Sequence, residues 1–171
     1  QQPNVAYWNL FCLAQALLPL IGDQEIALAA LESYKTVFPD EFEARMRAKL
    51  GLTDSAPADR VLIEGVLKLL AQEKVDYTIF WRRLADLKAG GDPAAVRDLF
   101  LDRAAIDGWL RAFGQRHAQV PPAQAAQSMR AANPKFVLRN HLGQQAIESA
   151  QKKDFSGLAT LPKLLQTPFE D

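Results

Sequence analysis

The sequence predicts an all-α fold, an irregular array of about eight to ten short helices with no sheet. Apolar residues recur every three or four positions along nearly the whole chain, which is the spacing of one helix face. Breaks that contain Pro, Gly or Asp separate these segments. No segment alternates apolar and polar residues as a half-buried strand would. No repeat of fixed period is found, so a solenoid is not expected.

The first predicted helix follows Pro3 and carries the apolar side chains Trp8, Phe11 and Leu17. A proline ring clashes with the preceding helical turn, so Pro19 is expected to end or kink this helix. These large apolar residues are expected to lie in a hydrophobic core.

A second and a third helix are predicted between residues 23 and 50. Asp23 can cap the second helix, and Pro39 is expected to stop it. Asp40 and Glu43 then form a pair typical of a capping box, which predicts a new helix start. Gly51 stands where a C-terminal glycine cap belongs.

Further helices are predicted from the apolar spacing of the remaining chain. The loop at 54–59 precedes one helix, Asp76 can cap the next, and Asp92 a short one. Asn133 with Pro134 predicts the start of a helix through Ala150, and Pro162 is expected to limit the last helix. The apolar residues that mark these helices include Leu62, Val66, Phe80, Leu84, Val96, Phe100, Ile106, Trp109, Phe113, Leu138, Leu142, Ala146, Leu158 and Leu161.

Many aspartates stand at predicted helix starts and need no catalytic role. A capping side chain accepts hydrogen bonds from free backbone amides and contributes about 1 kcal/mol. Capping explains Asp23, Asp40, Asp59, Asp76, Asp92 and Asp154, with Asn133 as a neutral cap.

Length and composition indicate a single helical domain over residues 1–171. The chain is 49% apolar and 23% charged, both ordinary for a globular protein. Lys+Arg and Asp+Glu each total 20, so the formal net charge is zero. Binding of nucleic acid or of a membrane surface through bulk charge is therefore not expected.

The charge is less even locally. Residues 23–43 carry six acidic side chains and one basic, whereas residues 130–153 carry five basic side chains and one acidic. These segments are either two solvated faces or include a surface that meets a partner of opposite charge.

The sequence also predicts a cytoplasmic protein without membrane contacts. No uninterrupted apolar run of about 18 residues is present, so no transmembrane helix is expected. No leader with charged, apolar and small-residue regions opens the chain, so nothing indicates export.

The common motifs of catalytic sites are missing from the sequence. It contains neither a GxxxxGK[ST] phosphate loop nor GxGxxG, HExxH or Gly-x-Ser-x-Gly. Two histidines, His117 and His141, and one cysteine, Cys12, are too few ligands for a structural zinc site. Cys12 cannot form an internal disulfide and is expected to be a small buried hydrophobe. Taken alone, the residues predict no active site.

Two stretches resemble a known family. "QPNVAYWNLFCLAQALLPLI" (2–21) resembles the segment that follows the kinase-like core in the selenoprotein O family. Residues 129–171 are similar to that family's C-terminal region, where Met-Arg, Asn-Pro, Arg-Asn, Ala-Ile and Pro-Phe recur in this order. The middle fits more loosely, through "MRAKLGL" (46–52) and "DYTIFWRRL" (76–84).

The resemblance implies that the chain is the C-terminal part of a longer protein adenylyltransferase. In that family a kinase-like pseudokinase core binds ATP and a divalent metal, here taken as Mg²⁺, and transfers AMP to protein hydroxyls (AMPylation). The phosphate-binding and metal-binding groups of the family lie upstream of the segment that matches residues 2–21. No catalytic, cofactor-binding or metal residue is therefore expected here, and the implied partner is the kinase-like core of the same polypeptide.

Residues 133–141, "NPKFVLRNH", hold most of the candidate site residues. Phe136 and Leu138 are expected in the hydrophobic core. The polar residues could hold neighbouring helix ends, dock on the kinase-like core, or contact nucleotide or substrate, because Arg139 offers a rigid fork of donors. The candidate docking or structural residues are Trp8, Asn9, Asn133, Pro134, Arg139, Asn140 and His141.

Two other function classes stay open. The chain could be a free-standing helical module that recognises another protein, or a small independent enzyme. The missing catalytic motifs disfavour the enzyme, so the chain by itself is not expected to catalyse a reaction.

Overall fold

A computed structural model describes residues 2–170, and within that range the chain forms nine α-helices and no strand. The all-α prediction is confirmed. The helices are α1 (Gln2–Ile21), α2 (Gln24–Lys49), α3 (Asp59–Gln72), α4 (Tyr77–Lys88), α5 (Ala94–Arg97), α6 (Arg103–Arg116), α7 (Pro122–Ala132), α8 (Asn140–Gln151) and α9 (Ser156–Gln166).

The chain divides into two compact units, one up to Arg45 and one from Met46 onward. Helix α2 runs through the boundary as one element. Length and composition predict a single domain over residues 1–171. This remains a prediction.

Helix α1 of the first unit has no charged residue and no buried residue. It continues through Pro19 to Ile21, so the proline lies in its last turn and does not end the helix. Trp8 is 61% exposed, and Cys12 is exposed as well. The expectation that Cys12 is a buried hydrophobe is therefore wrong, because no element of the first unit covers that side of α1.

Helix α1 is long and apolar enough to cross a membrane, judged by length and composition alone. The prediction that no such segment exists was based on uninterrupted apolar runs only. It therefore missed a helix in which uncharged amides interrupt the apolar residues. Core helices of soluble proteins and signal sequences pass the same test, so membrane insertion is not shown.

Helix α2 continues through Pro39, so the predicted stop at this residue is wrong. Three rings at i, i+4 spacing stack along one face and span the proline: Tyr34 and Phe38 lie 5.3 Å apart, and Phe38 and Phe42 lie 6.0 Å apart. Aromatic pairs at this spacing stabilise a helix and offset the hydrogen bond that a proline removes. Asp40 therefore lies inside α2 and caps no helix.

Few specific contacts join α1 to α2. The Tyr34 hydroxyl donates a hydrogen bond to the Pro3 carbonyl at 3.1 Å, and the rings of Tyr7 and Tyr34 are 5.8 Å apart.

The predicted cap of α2 is confirmed, since the Asp23 carboxylate accepts from the amide of Glu25 at 2.7 Å.

The second unit has a well-packed hydrophobic core. Phe80 and Trp81 of α4 are fully buried, with their rings 5.1 Å apart in an edge-to-face arrangement. Trp109 of α6 packs 6.0 Å from Phe80, and its indole N–H donates to the Leu62 carbonyl of α3 at 2.8 Å. A buried indole that keeps its hydrogen bond fixes the distance between two helices. The other fully buried residues include Leu50, Leu84, Ile106, Met129, Val66 and Val96.

Gly51 ends α2, as the sequence predicts. Its φ is +72°, and its amide donates to the Ala48 carbonyl at 3.0 Å. A Cβ at this position would lie 2.7 Å from Met129 Cγ, so the glycine also allows α7 to approach closely.

Asp59 forms a buried ion pair and is not the cap that the sequence predicts. Its carboxylate is fully buried and accepts from Arg116 Nε at 2.6 Å and from the Ala56 amide at 2.9 Å. Burial raises the pKa of Asp59, but the hydrogen bonds and the charge of Arg116 outweigh it and hold this pKa below its ordinary value near 3.8. The pair ties the start of α3 to the end of α6.

Substitution Asp59→Ala should lower the free energy of unfolding by about 3 kcal/mol, because it leaves the Arg116 guanidinium without its buried partner. Urea unfolding measures this change. The matched control is Glu64→Ala, which removes an exposed partner of Arg60 at 2.9 Å and should cause little change. Equal effects of the two substitutions would contradict a structural role for the buried pair.

His117 is buried at the end of α6, between two backbone carbonyls. Its Nδ1 lies 2.9 Å from the Phe113 oxygen, and its Nε2 lies 2.9 Å from the Leu50 oxygen. Burial is the largest influence and lowers the pKa of His117; the charges of Lys88 and Arg116 act in the same direction, against the two carbonyls.

The lowered pKa of His117 predicts a specific pH dependence. The unfolded chain binds a proton near pH 6.5 and the folded chain only at lower pH, so stability should fall as pH decreases from about 7 to 5.5. An NMR titration of the His117 ring measures the pKa directly. A midpoint above 6.5 would contradict this account.

Candidate functional site

Residues 133–139 form an extended link between α7 and α8. Helix α7 ends at Ala132 and α8 begins at Asn140, so the predicted helix start at Asn133 is wrong. The proline after Asn133 disfavours the helical conformation, and Asn133 has φ −120° and ψ 103°. Asn133 therefore closes α7 and does not cap α8.

Asn133 connects the end of α7 to the end of α2. Its buried amide nitrogen donates to the Lys49 carbonyl at 2.9 Å and to the Met129 carbonyl at 2.8 Å. Its amide oxygen accepts from Lys49 Nζ at 3.0 Å. One side chain thus satisfies two backbone carbonyls near helix ends and a lysine.

Lys49 lies in a partly buried position beside two aromatic rings. Its Nζ is 5.3 Å from the centre of the Tyr77 ring and 5.6 Å from that of Trp81. Burial lowers the pKa of Lys49, since the charged ammonium loses water. The rings and the Asn133 oxygen hold this ammonium in place, which indicates a structural cation.

Arg139 pairs with Asp76 across the second unit. Its Nη1 lies 2.6 Å from Asp76 Oδ2 and its Nη2 lies 3.0 Å from Asp76 Oδ1. Asp76 also caps α4 by accepting from the Ile79 amide at 2.9 Å, as the sequence predicts. The hydrogen bond from Arg139 is the largest influence that lowers the pKa of Asp76. Arg139 thus holds a neighbouring helix end, and this matches the structural interpretation of its role.

The Asn-Pro and Pro-Phe stretches that resemble the known family meet in space. The Pro168 carbonyl accepts from the amides of Lys135 at 2.7 Å and Phe136 at 3.1 Å. Arg82 Nη1 lies 3.4 Å from both the Asn133 and the Phe169 carbonyl oxygens. The segment after α9 is thereby fastened to the link before α8. Sequence reasoning missed this contact because backbone carbonyls leave no signal in residue identity.

The other residues of the 133–141 segment make fewer contacts. Asn140 and His141 are exposed in the first turn of α8, and Pro134 is half-buried. Phe136 is half-buried and Leu138 is 57% exposed, so the prediction that both lie in the hydrophobic core is wrong. The extended link leaves the helical register on which that prediction depended.

Trp8 and Asn9 belong to the first unit, whereas the other five candidate residues belong to the second. The Trp8 ring stacks on Phe11 with centroids 5.8 Å apart. Asn9 is exposed, and none of the hydrogen bonds between residues 2 and 170 involves its side chain. The seven candidates therefore do not form one site within either unit.

A surface cavity of 840 Å³ lies between the end of α4 and α7. Apolar residues such as Leu87, Pro122 and Ala126 line most of it, with Lys88 and Arg130 at its wall. Arg130 binds Asp86 at 2.7 Å. Within residues 2–170 no three His, Cys, Asp or Glu side chains are close enough together to hold a metal ion. Among the described residues this cavity therefore has no cluster of metal-ligating side chains.

Comparison with known families gives one decisive match. A family model described as protein adenylyltransferase SelO matches residues 1–166, which is nearly the whole chain. The chain belongs to the SelO family. The resemblance seen in the sequence is thereby confirmed.

Relatives in the SelO family share high identity with the chain. The protein nucleotidyltransferase YdiU of Variovorax paradoxus is 75% identical over 171 residues, and that of Albidiferax ferrireducens is 59% identical over 175. The YdiU protein of Ralstonia nicotianae is 44% identical over 195 residues. All of this chain is covered in each case, but it spans only 35% of the first two relatives and 37% of the third.

Asn133→Ala should lower the free energy of unfolding by about 2 kcal/mol, because it leaves two backbone carbonyls and Lys49 without their partner. The matched control is Asn140→Ala, seven residues further on and exposed, which should change stability little. Thermal and urea unfolding measure both variants. If Asn133→Ala is as stable as the control, Asn133 does not hold the two helix ends together.

Proposed function

We propose that the chain is a non-catalytic helical region of a protein adenylyltransferase. In this proposal a kinase-like core elsewhere in the same polypeptide binds ATP and Mg²⁺ in the cytoplasm and transfers AMP to protein hydroxyls. The observation that carries it is the match of the SelO family model to residues 1–166 of a chain that spans only 35% of the length of the Variovorax paradoxus relative.

The contacts of the buried and partly buried charged side chains support a non-catalytic role for this chain. Nucleotidyl transfer needs a lysine on the phosphates and an acidic or amide pair on the metal. In the second unit the buried carboxylate of Asp59 binds Arg116, and Asp76 binds Arg139. The partly buried Lys49 binds Asn133. These groups of the right chemical types already have structural partners.

The proposed mechanism is mechanical. The second unit has its own hydrophobic core and ties helix ends together through Asn133, Arg139 and Arg116. A rigid helical unit of this kind can keep the nucleotide-binding lobes of a neighbouring kinase-like core in a fixed arrangement. In this proposal the helical unit positions the kinase-like core, and the groups that react with ATP lie in that kinase-like core.

A free-standing interaction module is the second candidate, and the exposed apolar surface of α8 and α9 is consistent with it. Ala146 is the only buried residue within α8 and α9, while Ile147, Phe155 and Leu158 stay exposed. An apolar surface of this kind fits another protein as well as the same polypeptide. The two functions differ in whether the rest of the same chain covers the surface.

The proposal predicts that the 171-residue chain folds but does not bind ATP, whereas the longer protein binds ATP with Mg²⁺ and transfers AMP. Calorimetry with ATP and Mg²⁺ measures binding, and ATP radiolabelled at the α-phosphate measures transfer. Tight, Mg²⁺-dependent binding by the 171-residue chain would contradict a non-catalytic role. A longer protein that neither binds ATP nor labels protein would contradict the adenylyltransferase assignment.

A further inference from the structure

Helix α1 leaves apolar side chains exposed on opposite sides. Leu10, Leu13 and Leu17 line one wall of a 560 Å³ groove between α1 and α2, which we call the α1–α2 groove. Leu13 is still 53% exposed, so the first unit does not fill this groove. The facing wall on α2 is formed by Ala27, Ala30, Leu31, Tyr34, Val37 and Phe38.

Val5, Trp8 and Cys12 are on the side of α1 that points away from the α1–α2 groove. Successive residues turn by about 100° around a helix, which places these three opposite Leu10 and Leu17. All three are exposed, although Val5 and Trp8 are large apolar residues. Helix α1 therefore presents apolar surface in two opposite directions.

A helix with apolar residues on opposite sides and no charge belongs inside a larger protein or inside a membrane. The amide side chains of Asn4, Asn9 and Gln15 favour a protein interior over a membrane. In lipid these amides would have no water with which to form hydrogen bonds. Other protein segments can supply hydrogen-bond partners for the amides as well as apolar contacts. In the first unit Asn9 is exposed.

We infer that α1 is an interior helix of the longer protein and that the remainder of the same polypeptide covers it on both sides, including the α1–α2 groove. This inference rests on the proposed function. The occupant is the larger part of the polypeptide, since the chain spans only 35% of the first two relatives. The boundary between the two compact units, at Arg45 and Met46, then separates a hairpin embedded in the remainder from a helical unit with its own hydrophobic core.

Cys12 offers a direct test, because it is the one cysteine of the chain and lies on the outer side of α1. Its reaction with a maleimide is followed by peptide mass mapping in the 171-residue chain and in the longer protein. The reference site is Leu101→Cys in the second unit, since Leu101 is 93% exposed. Cys12 should react readily in the 171-residue chain and on the order of 100-fold more slowly in the longer protein.

A second pair of variants tests the groove side of α1 without relying on the thiol. Leu13→Asp should lower the thermal midpoint of the longer protein and leave that of the 171-residue chain nearly unchanged. Leu101→Asp is the matched control and should leave both unchanged, because its side chain contacts water. Equal, small effects of Leu13→Asp in both proteins would overturn the inference.

The outcomes separate this inference from the proposed function. If Cys12 reacts equally fast in both proteins while only the longer one transfers AMP, the proposed function stands and the interior placement of α1 is wrong. Protection of Cys12 only when phosphatidylcholine vesicles are added would assign α1 to a membrane. Protection in the 171-residue chain that increases with its concentration would assign the surface to a second copy. Both of these results would overturn the inference.

Discussion

An uncharged helix with apolar residues on opposite sides must be covered by other surface, and this constraint distinguishes the first unit from the second. Helix α1 has no buried residue within the first unit, whereas the second unit buries Phe80, Trp81 and Ile106 completely. Burial of apolar surface is the main source of folding free energy, at roughly 25 cal/mol per Å². The second unit therefore contains the source of its own stability, and we infer that surfaces outside residues 2–45 cover α1.

Within the second unit, polar side chains fix how the helices meet. Asn133 bonds the end of α7 to the end of α2, Arg139 bonds the start of α8 to the cap of α4, and Arg116 bonds the end of α6 to the start of α3. All three residues act at helix ends, where backbone groups lack partners within the helix. The same residues would be natural candidates for phosphate or metal chemistry if they were free. Their structural engagement is what makes a supporting role the better explanation of the chain.

The sequence predicts the fold class and most helices because the spacing of apolar residues can be read without knowledge of the tertiary structure. It predicts the caps at Asp23 and Asp76 for the same reason, since a cap is a local interaction. The prediction is wrong at Pro39, where α2 continues past the proline and a stack of aromatic rings stabilises the helix. It also fails at Asn133, where the following proline favours an extended conformation. The ion pair of Asp59 with Arg116 joins residues 57 positions apart, and such pairings cannot be read from one sequence without knowledge of the packing.

Amide hydrogen exchange of α1, measured in the 171-residue chain and in the longer protein, shows whether the remainder of the polypeptide covers this helix. We expect fast exchange of the α1 amides in the 171-residue chain, because no other element of its unit buries the helix. In the longer protein the same amides should exchange as slowly as those of α4, whose Phe80 and Trp81 are fully buried. Exchange of α1 that stays fast in the longer protein would contradict the view that the remainder of the polypeptide encloses this helix.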